Sequence, residues 1–140
     1  MSVGLYKYNG DINDRDSEKI ISEPISSQRF YNEYWEKAIK ELNVKYIQDG
    51  AEFDKSKLII VMKELKLLKD WALKNLDGKN LEYMSNRIGK LQEIIPIALQ
   101  NDDDTLYIFW KRRIFLCLYK NKEITLDKLI FFNLIQAIID

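Results

Sequence analysis

The chain has 140 residues and not one of them is histidine. Histidine is the side chain whose ordinary pKa lies nearest neutrality, which makes it the commonest general base and metal ligand. Its absence excludes a Ser-His-Asp triad, a Cys-His nucleophile pair and any zinc site built with imidazole. Cys117 is the single cysteine, so no intramolecular disulfide and no all-cysteine zinc site can form. It lies among Ile114, Phe115, Leu116 and Leu118, the setting of a buried and inert thiol. Glycine is scarce, and Gly10, Gly50, Gly78 and Gly89 are scattered, so there is no glycine-rich phosphate loop. Long apolar runs are missing too. Lys111-Arg112-Arg113 and Asp127-Lys128 interrupt the strongest ones short of the roughly 18–20 residues that a membrane span needs. The opening Met1-Ser2-Val3-Gly4-Leu5-Tyr6-Lys7 has no apolar core of the secretory kind. These absences point to a reduced, cytoplasmic setting without membrane association.

What is present suits one globular domain. Hydrophobic residues make up 46% of the chain, enough to fill a core. The 22 basic and 22 acidic residues cancel, which argues against a dedicated nucleic-acid binder. The cancellation hides an asymmetry. Residues 1–54 carry seven basic and eleven acidic side chains, 55–100 carry nine and five, and 101–140 carry six of each. A chain acidic in front and basic in the middle presents two differently charged faces.

Three helices are readable from apolar spacing. The first covers 27–43, capped by Ser26 or Ser27, with Tyr31, Tyr34, Trp35, Ala38, Ile39 and Leu42 on one face. Residues 44–49 suit a short strand, followed by the turn Asp49-Gly50. The second helix starts after Asp54 as cap, with Phe53 and Leu58 spaced as a hydrophobic staple. Its seam is Leu58, Val61, Leu65, Leu68 and Ala72, and Gly78 stands just past its end. The third begins at Asn80, with Leu81, Met84, Ile88, Leu91, Ile95 and Ala98 as its seam, and Pro96 kinks or ends it. The short link between them implies an antiparallel hairpin. Residues 105–119 carry both strand and helix signals; acids at their start and Lys111, Arg112, Arg113 and Lys120 later suit a helix dipole, and the expectation is a helix. A last helix starts at Thr125. Residues 1–25 read as an irregular lead-in in which 5–8 could form a short strand. The expected fold is therefore mainly α: a compact bundle of about four to five helices with room for a short β-hairpin. It forms one domain over 1–140, with the bundle at 26–140.

No arrangement marks a catalytic pair of carboxylates, so neither catalytic residues nor cofactors are assigned. Asp102-Asp103-Asp104 lacks the alternate spacing and glycine of a calcium loop and reads as a helix-capping acidic turn, so no metal ligand is assigned either. Lys55, Lys57, Lys63, Lys66, Lys69 and Lys74 spread around the second helix, with Glu64 and Asp70 interleaved, as on an ordinary soluble face. Lys111-Arg112-Arg113 reads as the water-facing break in a buried element, with phosphate contact as the other reading. The acids Asp11, Asp14, Asp16, Asp49, Glu52 and Asp54, with Tyr6 and Tyr8, make the strongest candidate for a contact surface. Charge speeds encounter and rejects wrong partners, while aromatic residues supply contact energy.

Three stretches carry a resemblance: Tyr34-Trp35-Glu36-Lys37-Ala38-Ile39-Lys40-Glu41-Leu42-Asn43, then Ile47-Gln48-Asp49-Gly50-Ala51-Glu52-Phe53, then 65–71. Over about residues 27–100 the chain resembles the small helical immunity proteins of bacterial polymorphic toxin systems, including those of contact-dependent growth inhibition. The resemblance is one of style and implies a cytoplasmic, non-enzymatic inhibitor that neutralises a cognate toxin domain by protein–protein contact. The neutral net charge departs from the acidic character of many nuclease-blocking members. The alternative expectation is a self-associating structural or regulatory helical protein, motivated by the two narrow seams and by the apolar C-terminal third.

Overall fold

A computed structural model of the chain describes residues 2–14 and 16–110. Strand β1 (Ser2–Tyr8) leads through a loop to β2 (Lys19–Ser27). A continuous helix α1 follows, built of an α turn Gln28–Phe30, a π segment Tyr31–Trp35 and an α segment Glu36–Leu42. A loop leads to β3 (Glu52–Asp54) and a 3-10 turn (Lys55–Lys57). Helices α2 (Leu58–Asn75) and α3 (Gly78–Ala98) come next, then β4 (Thr105–Trp110). The four strands form one antiparallel sheet in the order β2-β1-β4-β3.

This is an α+β fold of three helices and a four-stranded sheet, which corrects the expected mainly-α bundle. Two segments account for the difference. The expected irregular lead-in supplies β1 and most of β2, and the expected helix at 105–119 begins instead as β4. The pairing Leu5↔Ile108 joins residues more than a hundred positions apart. Such pairing overrides local preference. Strand β2 stays hidden from pattern reading because it is an edge strand, with Lys19, Ile20, Ser22 and Pro24 exposed. Its proline is tolerated there because an edge strand has one side free of ladder bonds. The triple base Lys111-Arg112-Arg113, the thiol Cys117 and the expected helix from Thr125 lie outside the described residues.

Alternation divides the sheet into two faces. Val3 and Leu5 of β1, Leu106 and Ile108 of β4 and Phe53 of β3 are buried on the inner face. The helices close this face. Tyr31, Trp35, Ala38 and Ile39 of α1, the α2 seam Val61, Leu65, Leu68 and Ala72, and the α3 seam Met84, Ile88, Leu91, Ile95 and Ala98 join the same core. The two seams are thus satisfied within one chain, which removes the motive they supplied for self-association.

Local signals bound α1 and the turn into α2 as expected, and those placed at Gly78 and Asn80 do not. The Ser27 hydroxyl accepts from the Phe30 amide at the start of α1, and Asn43 closes it in the left-handed region at φ 57°. Asp54 accepts from the Ser56 amide and caps the turn into α2. Gly78, expected beyond α2, is the first residue of α3 and retains a left-handed φ of 53°, while Asp77 and not Asn80 is the cap position. Pro96 lies inside α3, which runs on to Ala98. The terminal carbonyl of Ala98 is then satisfied by the Lys7 ammonium at 3.0 Å, which also pairs with Asp104 at 2.9 Å. A cation at a helix C-terminus suits the dipole there.

The stretch 44–49, expected as a strand, is a loop organised from α2. Glu64 is buried, and its carboxylate accepts from the amides of Lys45 (2.8 Å), Tyr46 (2.9 Å) and Ile47 (3.2 Å). It is not one of the surface charges interleaved with the lysines. Asp49 continues the loop inward: its amide donates to the Tyr31 hydroxyl at 2.8 Å and its Oδ1 accepts from the Trp110 amide at 3.0 Å. The Gly50 amide donates to the Ile108 carbonyl, and the Ile108 amide donates to the Ala51 carbonyl. No helix among the described residues is long and apolar enough to cross a membrane.

Glu64→Ala leaves three amides without their acceptor and should lower unfolding free energy by about 3 kcal/mol. Glu64→Gln keeps one acceptor oxygen and should lose about half of that. Urea denaturation midpoints at constant m-value measure both.

Candidate protein-binding surface

The outer face of the sheet is built by the same alternation. Val3 and Leu5 point inward, so Gly4, Tyr6 and Tyr8 point outward. On β4, Leu106 and Ile108 point inward, so Tyr107 and Phe109 point outward. The register Tyr6↔Tyr107 and Gly4↔Phe109 sets these side chains beside one another. Tyr107 and Phe109 stack with centroids 5.6 Å apart and planes at 10°. Phe109 stacks on Tyr6 at 6.4 Å, and Tyr8 meets Tyr107 edge-on at 6.1 Å. Four rings thus form a continuous array across two central strands. Gly4 makes room for it, since a Cβ at this position would lie 2.6 Å from the Tyr6 hydroxyl oxygen. Lys19 sits 5.2 Å from the Tyr6 ring centroid, within cation–π range.

Carboxylates rim the array. Glu52 stands opposite Tyr107 in the register, and Asp54 opposite Thr105. Asp11 lies in the β1–β2 loop, where its Oδ1 accepts from the Asn13 amide, and Asp14 Oδ1 accepts from the Asp16 amide in the same way. Such Asx turns give the loop its shape. Asp11, Asp14 and Asp16 are all exposed.

The electrostatics follow from this placement. Burial raises the Tyr6 hydroxyl above its ordinary pKa. Tyr8 is pushed up to about 12, chiefly by burial and further by Tyr6 and Tyr107. Tyr107 is raised by burial and then by the charges of Glu52 and Asp11, which places both acids within electrostatic reach of its ring. Asp54 is held below its ordinary pKa, first by the Ser56 hydroxyl. The face is partly dry, aromatic and negative.

At the free edge of β3 the face opens into a cleft of about 310 Å³, backed by Phe53 and lined by Tyr46, Glu52, Asp54, Lys57, Thr105 and Tyr107. Tyr46 meets Phe53 edge-on at 6.3 Å.

Of the candidates read from the sequence, Tyr6, Tyr8, Glu52 and Asp54 lie on the outer face, with Asp11 near it through Tyr107. Asp14 and Asp16 belong to the adjoining loop. Asp49 is half-buried at the sheet's edge, and its amide and its carboxylate hold the loop to α1 and β4. Tyr107, Phe109, Tyr46 and Thr105 escape the sequence reading. A period-two pattern runs through 106–109, but both parities are apolar, so no polar face marks it as a strand. The acidic run 102–104 caps no helix: Asp104 accepts from the Asn101 amide and pairs with Lys7, and Asp102 lies 3.8 Å from Lys55. Among the described residues no group of three acidic or thiol side chains is disposed around a metal position. Comparison with known protein families, with curated proteins and with solved structures finds no match to this chain.

Tyr8 Oη is buried and has no hydrogen-bond partner among the described residues. Tyr8→Phe removes an unsatisfied hydroxyl and should leave stability unchanged or slightly raised. Because the folded pKa lies above the unfolded value of 10.0, the Tyr8 contribution is complete below pH 10 and is lost as pH rises toward about 12. Phenolate absorbance in an alkaline titration should show a late-ionising tyrosine that disappears in Tyr8→Phe.

Proposed function

We propose that this chain is a protein-binding module of the immunity type, whose outer sheet face engages a basic surface on a cognate toxin domain. The observation that carries the reading is the four-ring array Tyr8, Tyr107, Phe109 and Tyr6 with Glu52, Asp54 and Asp11 around it. Aromatic residues in a partly dry patch are the usual anchors of protein contact, and carboxylates at the rim steer a basic partner during encounter. Tyrosine suits this face because it offers a large, stiff apolar body and a polar tip. The contact would be made by side chains held on strands, which keeps them in place before the partner arrives and reduces the entropy lost on binding.

A second reading, self-association, has a separate motive. Ile59, Ile60, Leu67 and Leu73 are exposed on α2 beside Lys63, Lys66, Lys69 and Lys74, and Ile59 is 72% exposed. Scattered exposed aliphatics are normal on soluble proteins, so the aromatic face is the stronger of the two. Sedimentation at high concentration separates the readings: a monomer favours the sheet face, and a dimer dissolved by Leu67→Lys favours α2.

Tagged protein passed through lysate of its native cells should retain one basic partner in stoichiometric amount through a high-salt wash. The double reversal Asp11→Lys, Glu52→Lys should slow association about tenfold and flatten its salt dependence. Tyr107→Ala should speed dissociation, at a cost of about 2 kcal/mol or more in affinity. Surface plasmon resonance measures both rates. Binding unchanged in all these variants would remove the sheet face from the interface.

A further inference from the structure

We propose that the cleft at the free edge of β3 is a receptacle for one cationic side chain of the partner, arginine in preference to lysine. The inference rests on the outer sheet face being the binding surface and names the chemistry that this part of it selects. At about 310 Å³ the cleft lies at the bottom of the ~300–1,000 Å³ range of ligand pockets, which admits one long side chain and leaves little room for a nucleotide-sized cofactor. Its lining sets the sign of the guest. Glu52 and Asp54 contribute two carboxylates against the single ammonium of Lys57. Lys57 acts on Asp54, whose charge it favours. Glu52 is exposed and forms no hydrogen bond or ion pair among the described residues, so its charge is the one left for a guest.

The neighbours of Glu52 select the shape of the cation. Glu52 and Tyr107 are direct cross-strand partners on one face, so their side chains stand side by side at the mouth of the cleft. Tyr46 contributes a second ring to the lining. A guanidinium is flat: it can receive a carboxylate along its edge and lie on an aromatic face at the same time, whereas an ammonium is a compact point charge with stronger hydration. An anionic guest would meet two carboxylates.

The test is a titration of the full-length protein followed by amide NMR shifts, using N-acetyl-arginine amide as the probe. N-acetyl-lysine amide, N-acetyl-citrulline amide and free arginine serve as controls. The arginine amide should move the Glu52, Thr105 and Tyr107 signals saturably in the millimolar range, at least threefold more tightly than the lysine amide. The citrulline amide, an uncharged near-isostere, should not bind. Glu52→Gln, an exposed substitution that leaves the rest of the spectrum in place, should weaken the arginine amide at least fivefold. No saturable shift, equal binding of citrulline, or an unaffected Glu52→Gln variant would each overturn the proposal. Lysine binding as well as arginine would overturn the stated preference, and free arginine binding more tightly than its capped amide would assign the cleft to a free amino acid instead. The probes contain no partner protein, so failure here removes the cleft alone. Loss of the aromatic face as an interface would appear separately, in the binding kinetics of Tyr107→Ala.

Discussion

A carboxylate from the middle of a helix holds the loop that positions the edge of the sheet. Glu64 is only 7% exposed, and both of its oxygens are used on consecutive backbone amides of the 45–47 segment. A buried carboxylate is tolerable only where donors replace the water it has lost. Here the peptide groups do so, and they gain an acceptor in return. The loop so fixed places Asp49 against the Trp110 amide and sets Gly50 and Ala51 against Ile108. Those bonds bring β3 to β4, and with it Glu52 to Tyr107 and the cleft to its position. One contact from α2 therefore sets a feature on the opposite face of the sheet.

The sheet serves two solvents at once. Its inner face is aliphatic and closed by helices, while its outer face carries tyrosines and a phenylalanine with acids around them. Tyr6 is only 5% exposed within this array, and Tyr8, Tyr107 and Phe109 are half-buried. Shielding raises the tyrosine pKa values, and the nearby carboxylates raise that of Tyr107 further. The same two conditions, partial dryness and negative potential, strengthen attraction for a cation. The charge asymmetry along the chain thus acquires a place in the fold. Asp11, Asp14, Asp16, Glu52 and Asp54 of the first 54 residues lie on or beside the sheet, Glu33, Glu36 and Glu41 lie on α1, and Lys63, Lys66, Lys69 and Lys74 are exposed on α2.

Helix positions were largely legible because their signals are local. Ser27, Asp54 and the seams of α2 and α3 act within one or two turns of where they stand. The candidate surface was legible in part. Tyr6, Tyr8, Glu52 and Asp54 could be singled out by type, yet nothing in the order of residues says that Tyr107 and Phe109 stand among them. Asp49 shows the reach of the fold: an acid beside glycine reads as a turn residue, while its oxygen is held by an amide 61 positions away. Glu64 was read among surface lysines, because position on a helix gives an angle and not a neighbour.

By itself the sequence determined the chemistry available to this protein: no imidazole, no disulfide, balanced charge, aromatic residues in abundance and three amphipathic helices. These follow from composition and from periods of a few residues. Only the tertiary structure decided that residues 2–8 and 105–110 are strands of one sheet, since their hydrogen bonds lie with each other across the chain and not with their neighbours. That pairing turned a suspected bundle into an α+β fold. It also brought four rings and the acids around them to one face, because each strand sends alternate side chains to the side its partner strands define.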